Sequence, residues 1–433
     1  MIRNKLARLL AAAALAVSTL GVSQAQINIE ITSGAEGALP IAIIPFTLDG
    51  NSGAPPEDVA GIITNNLRRS GKFEPLAGRD MLARPSRMEE VQFPQWRALG
   101  VDNLVVGGVQ QVGPQEYEVR FELLDVYQGN RLLGKRYRVQ AASLRPLAHN
   151  ISDLIYETLT GQPGGFNSQI LYVAVTEKAG AKNYQLVLAD ADAERQQVIL
   201  HSRKPLMSPA WSPDRKQIAY VSFEDERPQI WVQTVATGQR RKVAAYPGIN
   251  SAPSWAPDGR RLAVTLSKGG NPDIYILDLG NGSLRQVTNH WGIDTEPTWT
   301  PDGRSIVFTS DRGGRPQIYR VSANGGEPER LTFEGSYNAH PSLSPDGRFL
   351  ATVHRAGGGF QIAVHDLQTR QVRTLTNGPQ DESPNFSPNG AMIIYTGTTG
   401  GRSHLFTVSL YGRANAPLSL FPMPVQEPAW SPR

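Results

Sequence analysis

Aspartate residues recur at fixed spacing in the second half of the chain, and a ring of carboxylates could bind a cation or perform acid–base chemistry. Four of them are 44 residues apart: Asp214, Asp258, Asp302 and Asp346. Each follows a proline in a phrase typical of a tight turn, where Asp bonds to the backbone of its own turn. The fifth and sixth copies of the phrase carry Asn389 and Arg433 instead. The spacing therefore predicts turn residues, with no metal site and no catalytic ring.

Other residue types that support catalysis show no suitable arrangement. The sequence has no Gly-x-Ser-x-Gly, no His-Glu-x-x-His and no phosphate-binding loop. Its seven histidines are scattered without the spacing of metal ligands, and it has no cysteine. These features predict a protein that is not an enzyme and has no cofactor.

The turn phrase is part of a repeat that determines the fold. An aromatic or leucine residue precedes each turn at a period of 43 or 44, at positions Trp211, Trp255, Trp299, Leu343, Phe386 and Trp430. A run rich in β-branched residues follows each turn, and two further apolar runs keep the same register. Four short strands in about 44 residues are typical of a β-propeller blade. We expect the tryptophans to pack between blades.

The two ends of the repeat array predict how the propeller closes. Residues 170–201 contain strands two to four of a blade, without the turn phrase that marks strand one. Residues 427–432 contain that strand alone. The C-terminal strand is therefore expected to complete the first blade, which makes six blades and leaves no free edge at the junction.

The first part of the chain predicts an export signal and a smaller domain. Residues 1–25 combine three basic residues, an apolar stretch and Ser23-Gln24-Ala25, which is typical of a cleaved signal peptide. Residues 26–162 mix strand and helix patterns and predict an α/β domain. Gly161 to Gly165 then form a linker to the propeller, residues 163–433. The predicted fold is an N-terminal α/β domain followed by a six-bladed β-propeller.

The charge balance bears on possible partners. The signal carries Arg3, Lys5 and Arg8 and no acidic residue, so residues 26–433 hold 40 basic residues against 39 acidic residues. A nearly neutral chain gives no support to nucleic-acid binding. The apolar stretch of the signal is too short to span a bilayer. We expect an exported monomer that does not insert into a membrane.

Loops that connect strand four of one blade to strand one of the next are the best candidates for binding. They cover residues 246–253, 290–297, 335–341, 377–384 and 424–428, and in a propeller they surround one end of the channel, which we call the channel mouth. The polar residues that they offer are Asn250, Asp294, Glu296, Asn338, His340, Asp381, Glu382 and Glu427. The alternative is a solvated rim with no partner.

Several phrases carry a resemblance to a known family. They are Pro205 to Asp214, Thr295 to Trp299 and Thr309 to Gln317 in the repeats, with Ala54 to Asp58 and Leu67 to Phe73 before them. Together with the signal, the α/β domain and the six repeats, they resemble the TolB family of the bacterial Tol-Pal system. The resemblance covers nearly all of the chain after residue 25.

The resemblance implies two partners, the lipoprotein Pal and the inner-membrane protein TolA. It implies that Pal binds at the channel mouth, and the full predicted set is Asn250, Ser251, Ala252, Pro253, Asp294, Thr295, Glu296, Asn338, His340, Asp381, Glu382 and Glu427. It implies that TolA binds the segment Gln26, Ile27, Asn28, Ile29, Glu30, Ile31, Thr32 and Ser33. Ile249 departs from the family pattern, in which a polar or histidine residue is expected there.

Two functions follow as hypotheses. The first is a periplasmic adaptor without catalysis that connects Pal and TolA, for outer-membrane integrity and envelope constriction at cell division. The alternative is a periplasmic propeller hydrolase or carbohydrate-binding protein that uses the channel. An enzyme should bring together titratable groups with shifted pKa values, whereas an adaptor should present a broad rim of mixed polarity.

Overall fold

A computed structural model of the chain describes residues 37–49, 55–178, 180–355, 357–419 and 421–433. The predicted signal peptide and the predicted TolA-binding segment, Gln26 to Ser33, lie outside the described residues. Residues 38–433 pack as one compact unit.

The first part of this unit is a six-stranded sheet with three α-helices in its described residues. The strands are β1 (Leu39–Ile43), β2 (Thr47–Asp49), β3 (Phe73–Pro75), β4 (Asn103–Gly113), β5 (Glu116–Asp125) and β6 (Asn130–Gln140). The helices are α1 (Val59–Arg69), α2 (Phe93–Ala98) and α3 (Leu144–Thr160). The strand order is β3-β1-β4-β5-β6, with β2 paired to β4. Strands β1 and β4 are parallel, whereas β4, β5 and β6 are antiparallel.

Local sequence explains where the two longer helices begin and end. Asp58 precedes α1, and its Oδ1 accepts a hydrogen bond from the backbone N–H of Gly61 at 3.0 Å. Helix α3 ends at Gly161, whose φ of 69° is the left-handed conformation that glycine adopts without a steric penalty. The apolar stripes of both helices pack on the sheet with Ile63, Phe121 and Ile151. The predicted α/β fold of this part is confirmed.

Six four-stranded sheets follow and form the propeller. Blade one is β30-β7-β8-β9, and blades two to six are β10–β13, β14–β17, β18–β21, β22–β25 and β26–β29. The innermost strands are β10 (Leu206–Trp211), β14 (Asn250–Trp255), β18 (Asp294–Trp299), β22 (Tyr337–Leu343), β26 (Glu382–Phe386) and β30 (Val425–Trp430). The second strands are β7 (Gln169–Lys178), β11 (Gln217–Ser222), β15 (Arg261–Leu266), β19 (Ser305–Ser310), β23 (Phe349–Arg355) and β27 (Met392–Thr399). The third strands are β8 (Ala181–Asp190), β12 (Gln229–Thr234), β16 (Asp273–Asp278), β20 (Gln317–Ser322), β24 (Gln361–Asp366) and β28 (Arg402–Ser409).

The outermost strands are shorter and more exposed. They are β9 (Gln197–Ser202), β13 (Arg240–Ala244), β17 (Leu284–Gln286), β21 (Glu329–Arg330), β25 (Val372–Thr374) and β29 (Asn415–Ser419). Together with the pairing of β30 to β7, which joins Trp430 to Ile170 and Val425 to Ala174, they complete the six blades. The predicted six-bladed fold and its closure by the C-terminal strand are confirmed.

Contacts between neighbouring innermost strands explain the tryptophan repeat. The indole N–H of Trp211 donates to the backbone oxygen of Ala429 in blade one at 3.1 Å. The indole of Trp255 repeats this contact one blade further on, with Ala210 at 3.2 Å. Both side chains are buried. These two tryptophans therefore join blades two and three to the blade before each of them.

The turn aspartates serve their own turns, as the spacing predicts. Oδ1 of Asp214 accepts hydrogen bonds from the Ser212 hydroxyl at 2.7 Å and the Lys216 backbone at 3.1 Å. Asn389 makes the equivalent bonds to Ser387 and Ala391 in blade six. An amide oxygen replaces a carboxylate without loss of geometry, so the position needs an acceptor and not a charge.

The amino-terminal part and the propeller share one core. Tyr156 of α3 makes an edge contact with Phe166, and the same apolar cluster includes Tyr172 of blade one and Phe421. Both oxygens of Asp153 accept backbone N–H groups, from Phe166 at 2.7 Å and from Asn167 at 3.1 Å. The predicted linker thus leads into a segment bonded to α3. The boundary between two separate domains at residues 162 and 163 stays a prediction.

Candidate functional site

The propeller channel is lined by the innermost strands, and each strand bends at the same place. A register shift interrupts the pairing of every innermost strand with its neighbour, which is the mark of a β-bulge. One residue of each bulge has a left-handed φ between 48° and 54°: Ser208, Ala252, Glu296, His340, Ser383 and Glu427. A proline follows every one of them. We call these six residues the bulge ring.

The bulge ring is an unusual arrangement for the backbone. A residue with a side chain rarely adopts a left-handed φ, and a following proline restricts its backbone further towards extended conformations. Conformations of this kind persist only where the surroundings hold them, and they concentrate at binding and catalytic sites. Six in one channel, one in each blade, therefore mark the channel as the first candidate for function.

Hydrogen bonds between blades hold part of the bulge ring. Oε2 of Glu296 in blade four accepts the backbone N–H of His340 in blade five at 2.8 Å, and also the Thr309 hydroxyl at 2.8 Å. The carboxylate of Glu427 in blade one accepts the backbone N–H of Ser208 in blade two. Two glutamates of the ring thus fix the bulge of the following blade.

Burial and like charge act on the Glu427 carboxyl. Burial is the largest cause that raises its pKa, and the neighbouring carboxylates Glu296 and Glu382 raise it further. The backbone N–H of Ser208 and the imidazole of His340 act in the opposite direction. The channel contains a cavity of about 430 Å³ lined mainly by proline, serine and tryptophan of the repeats, together with Ser208, Ala252, Glu296 and His340 of the bulge ring. The carboxylates of Glu296 and Glu427 are thus engaged in backbone contacts.

Four of the polar residues predicted on the mouth loops are instead buried. Asn250, Asp294, Asn338 and Asp381 each have an exposed fraction of 3% or less. Asn250 bonds both backbone groups of Tyr246, accepting at 2.9 Å and donating at 2.7 Å. The prediction of exposed loop residues is wrong for these four, because their side chains bond to their own loop or strand.

The three other buried residues make equivalent contacts. Asp294 accepts a hydrogen bond from the Arg312 guanidinium at 2.7 Å. Asn338 donates to the Glu334 backbone oxygen at 2.8 Å, and Asp381 accepts the Gly378 N–H at 3.1 Å. These bonds hold the mouth loops in place and leave the side chains no surface for a partner.

The remaining predicted residues lie on the innermost strands and not on loops. Ser251, Ala252, Thr295, Glu296, His340 and Glu427 are half-buried, Pro253 is buried and Glu382 is exposed. Their shared position, within two residues of each bulge, brings them around the upper channel. The structure therefore places eight of the twelve predicted residues beside the bulges, and four of them, Ala252, Pro253, Glu296 and His340, line the channel cavity.

The sequence analysis missed an exposed apolar group at the mouth. Trp291 is 76% exposed, Ile293 47% and Ile249 41%. Ile249 and Ile293 directly precede β14 and β18, and they occupy the same position of the repeat, 44 residues apart. Trp291 lies against His290, with ring centroids 5.0 Å apart. We call these three residues the apolar rim; a tryptophan outside the repeat positions was the signal that could have identified it.

One cluster of possible metal ligands occurs among the described residues, and its charges are already balanced. Ligand atoms of His149, Asp190 and Asp192 lie within 4.8 Å of one another. The guanidinium of Arg145 contacts Asp192 at 2.5 Å, and that of Arg195 contacts Asp190 at 2.7 Å. Burial lowers the pKa of His149 to about 4. The arginines thus neutralise the carboxylates that a metal ion would need as ligands. Because His149 lies in α3 and Asp190 in β8, the cluster connects α3 to blade one.

Comparison with known proteins identifies the family. A model described as the TolB beta propeller domain matches residues 156–433, and one described as the TolB amino-terminal domain matches residues 27–132. The chain belongs to the TolB family.

Individual relatives agree with this assignment. The Tol-Pal system protein TolB of Nitrosococcus oceani is 61% identical over 409 residues, covering 94% of each chain. That of Alkalilimnicola ehrlichii is 56% identical over 419 residues, covering 96% of this chain and 98% of the relative. The crystal structure of TolB from Acinetobacter baumannii has a TM-score of 0.83 at 41% identity, covering 92% of this chain and 97% of that one.

Membership in the TolB family makes the chain a component of a Tol-Pal system. The predicted resemblance and fold class are confirmed by the same matches. No helix in the described ranges is long and apolar enough to cross a membrane.

Proposed function

We propose that this TolB-family protein is a periplasmic adaptor without catalytic activity that binds Pal at the mouth of its propeller channel. The observation that carries the proposal is the apolar rim beside the bulge ring. Exposed tryptophan and isoleucine on a rigid support are typical of a protein interface, in which a few large side chains supply most of the affinity. Ser251, Ala252, Thr295 and Glu296 would contact Pal next to that rim.

The second partner of the proposal is TolA, bound by Gln26 to Ser33. Ile27, Ile29 and Ile31 alternate with polar residues in this segment. Such a pattern suits a strand that adds to the sheet of a partner. The two connections together would serve outer-membrane integrity and envelope constriction at cell division.

The channel itself offers little support for a hydrolase or a carbohydrate-binding protein. Glu296 and Glu427 accept backbone N–H groups that the bulges need. A carboxylate committed to the fold in this way is poorly placed to act as an acid or a base, because protonation would weaken the bond that it accepts.

The Pal part of the proposal is tested by calorimetric titration of the soluble Pal domain into the mature protein. Thr295→Arg places a long charged side chain at the mouth, and we expect it to weaken binding at least tenfold without a change in melting temperature. Asp302→Ala, in the turn of the same blade, is the matched control and should leave the affinity unchanged. Equal affinities for the wild type and Thr295→Arg would contradict Pal binding at the mouth.

The TolA part is tested separately. Deletion of residues 26–33 should abolish binding of TolA and leave the melting temperature of the propeller unchanged. A deletion variant that still binds TolA would show that this segment is not the site.

A further inference from the structure

The free edge of the amino-terminal sheet is a long basic strand. Strand β6 is the last in the order β3-β1-β4-β5-β6, so one side of its backbone has no partner strand among the described residues. It spans eleven residues, about twice the usual strand length. Its charged residues are all basic: Arg131, Lys135, Arg136 and Arg138. Most residues of the strand are exposed.

The inner neighbour of this strand carries the opposite charge. Glu118 of β5 is paired in register with Arg138, and Glu122 with Gly134. Ion pairs join Arg136 to Glu118 at 3.5 Å and Arg131 to Glu122 at 2.7 Å. Opposite charges on neighbouring strands stabilise a sheet, whereas like charges destabilise it. A strand added outside β6 should therefore be acidic, as β5 is.

The two faces of β6 define the pattern that an added strand needs. Leu133, Tyr137 and Val139 point to the face that packs on the apolar core. Gly134, Arg136 and Arg138 alternate with them and point to the opposite face, because neighbouring residues of a strand face opposite ways. Lys135 lies between Leu133 and Tyr137 on the first face. An added strand thus meets apolar residues and one lysine on that face, and arginines on the other.

A pocket lies beside the basic face. It has a volume of about 360 Å³ and is lined by Arg87, Arg131 and Arg136, with Glu89 and Glu122. Among the described residues Arg87 and Arg138 take part in no ion pair, so positive charge at this edge is not fully compensated. An acidic side chain from an added strand can reach it.

We propose that β6 is a docking edge for an extended segment of a partner protein in which acidic residues alternate with apolar residues. The backbone of that segment pairs with the free edge of β6. Its acidic side chains face Arg136 and Arg138, about 5 Å across the strand pair, and its apolar side chains extend the core beside Leu133 and Tyr137. The four like charges of β6 also prevent two copies of this chain from pairing through the same edge.

We infer that the occupant is a polypeptide because only another peptide backbone can pair with the N–H and C=O groups along the free edge of β6. Arg136 and Arg138 are two residues apart, about 6.8 Å along the strand. Alternate residues of a paired strand have the same spacing, so each arginine meets one acidic side chain. A phosphate or a polyanion would contact the arginines but would leave the backbone groups of β6 unpaired.

The test uses the mature protein and three labelled nine-residue peptides. In the first peptide Glu alternates with Val or Thr, and in the other two Gln or Lys replaces Glu. Fluorescence anisotropy measures binding, and amide hydrogen exchange reports on residues 131–139. We expect the Glu peptide to bind at least tenfold more tightly than the Gln peptide, to slow exchange in β6 and to bind more weakly as salt increases.

The variant Arg136→Glu with Arg138→Glu should weaken binding of the Glu peptide about tenfold or more. The control Arg227→Glu with Arg413→Glu makes the same change of charge on exposed residues of the propeller and should have no effect. Melting temperatures show whether each variant is folded. Equal binding of the Glu and Gln peptides, binding without slower exchange in β6, or no binding at 1 mM peptide would each overturn the proposal. Inorganic polyphosphate that binds in place of the peptide, with β6 exchange unchanged, would also overturn it.

Discussion

The carboxylate of Glu296 accepts the backbone N–H of His340, 2.8 Å away in the next blade. Both residues have a left-handed φ of 54°, and both precede a proline. One side chain of the bulge ring thus stabilises the backbone conformation of the next member. The contact links the stability of neighbouring blades to the shape of the channel.

Removal of this acceptor should lower stability. Glu296→Ala leaves the His340 N–H without its carboxylate partner, and we expect the free energy of unfolding to fall by about 1 to 3 kcal/mol. Glu296→Gln keeps an oxygen that can accept the bond and should lose less. Glu329→Ala, which removes an exposed glutamate of the same blade, is the control and should change stability little. Urea unfolding measures all three, and an Ala variant as stable as the wild type would show that the bond does not hold the bulge.

Closure of the propeller by its C-terminal strand can be tested by substituting two tryptophans. Trp430 in the C-terminal strand is 5% exposed and donates its indole N–H to the Ser168 hydroxyl at 2.8 Å. We expect Trp430→Ala to cost about 3 to 5 kcal/mol, because it removes a large side chain from the junction of blades one and six. Trp291→Ala removes the same side chain from the exposed rim and should leave the melting temperature nearly unchanged. Equal melting temperatures of the two variants would contradict closure through Trp430.

The propeller could be predicted because its information is periodic. The turn phrase, the strand after it and the motif tryptophan recur at one interval, and each has a local physical reason. In the amino-terminal part, the strands β1, β4, β5 and β6 and the helices α1 and α3 had clear apolar patterns. The short elements β2, β3 and α2 were not predicted, because three to six residues are too few to show a period.

The binding residues were harder to predict because the burial of a polar side chain depends on its tertiary contacts and not on its residue type. Asn250 looked like an exposed loop residue from the sequence. Its side-chain amide is instead buried and hydrogen-bonds the backbone of Tyr246 in its own loop. The left-handed bulges could not be inferred, since a residue before proline is expected to be extended. Trp291 was passed over because it lies outside the repeat positions.

Buried histidine makes stability depend on pH. Burial, and then the charge of His354, lowers the pKa of His365 to about 4 from an ordinary value near 6.5. The unfolded chain therefore takes up a proton at a higher pH than the folded protein does. This contribution to stability is present above about pH 6.5 and is lost as the pH falls towards 4, by up to about 3 kcal/mol.

The variant His365→Gln isolates this effect. The difference in unfolding free energy between the wild type and the variant should fall as the pH decreases from 7.5 to 4.5, because other titrating groups such as His149 are common to both proteins. His201→Gln, which makes the same change at an exposed histidine, is the control. Urea unfolding at four pH values provides the measurement, and a constant difference for His365→Gln would contradict the lowered pKa.

The apolar rim should supply most of the affinity for Pal if the proposed function is correct. Trp291 is the largest exposed side chain of the rim, and aromatic residues at the centre of an interface commonly cost 2 kcal/mol or more when truncated. We expect Trp291→Ala to weaken Pal binding about 30-fold, and Ile249→Ala or Ile293→Ala to weaken it less. Asn250→Ala should instead lower the melting temperature, because it removes the bonds that hold the 246–253 loop. Calorimetric titration and thermal unfolding of the four variants separate the two effects. Phe333→Ala is the matched control, since Phe333 is 68% exposed and lies outside the apolar rim; if it weakened binding as much as Trp291→Ala, the rim would not be the centre of the interface.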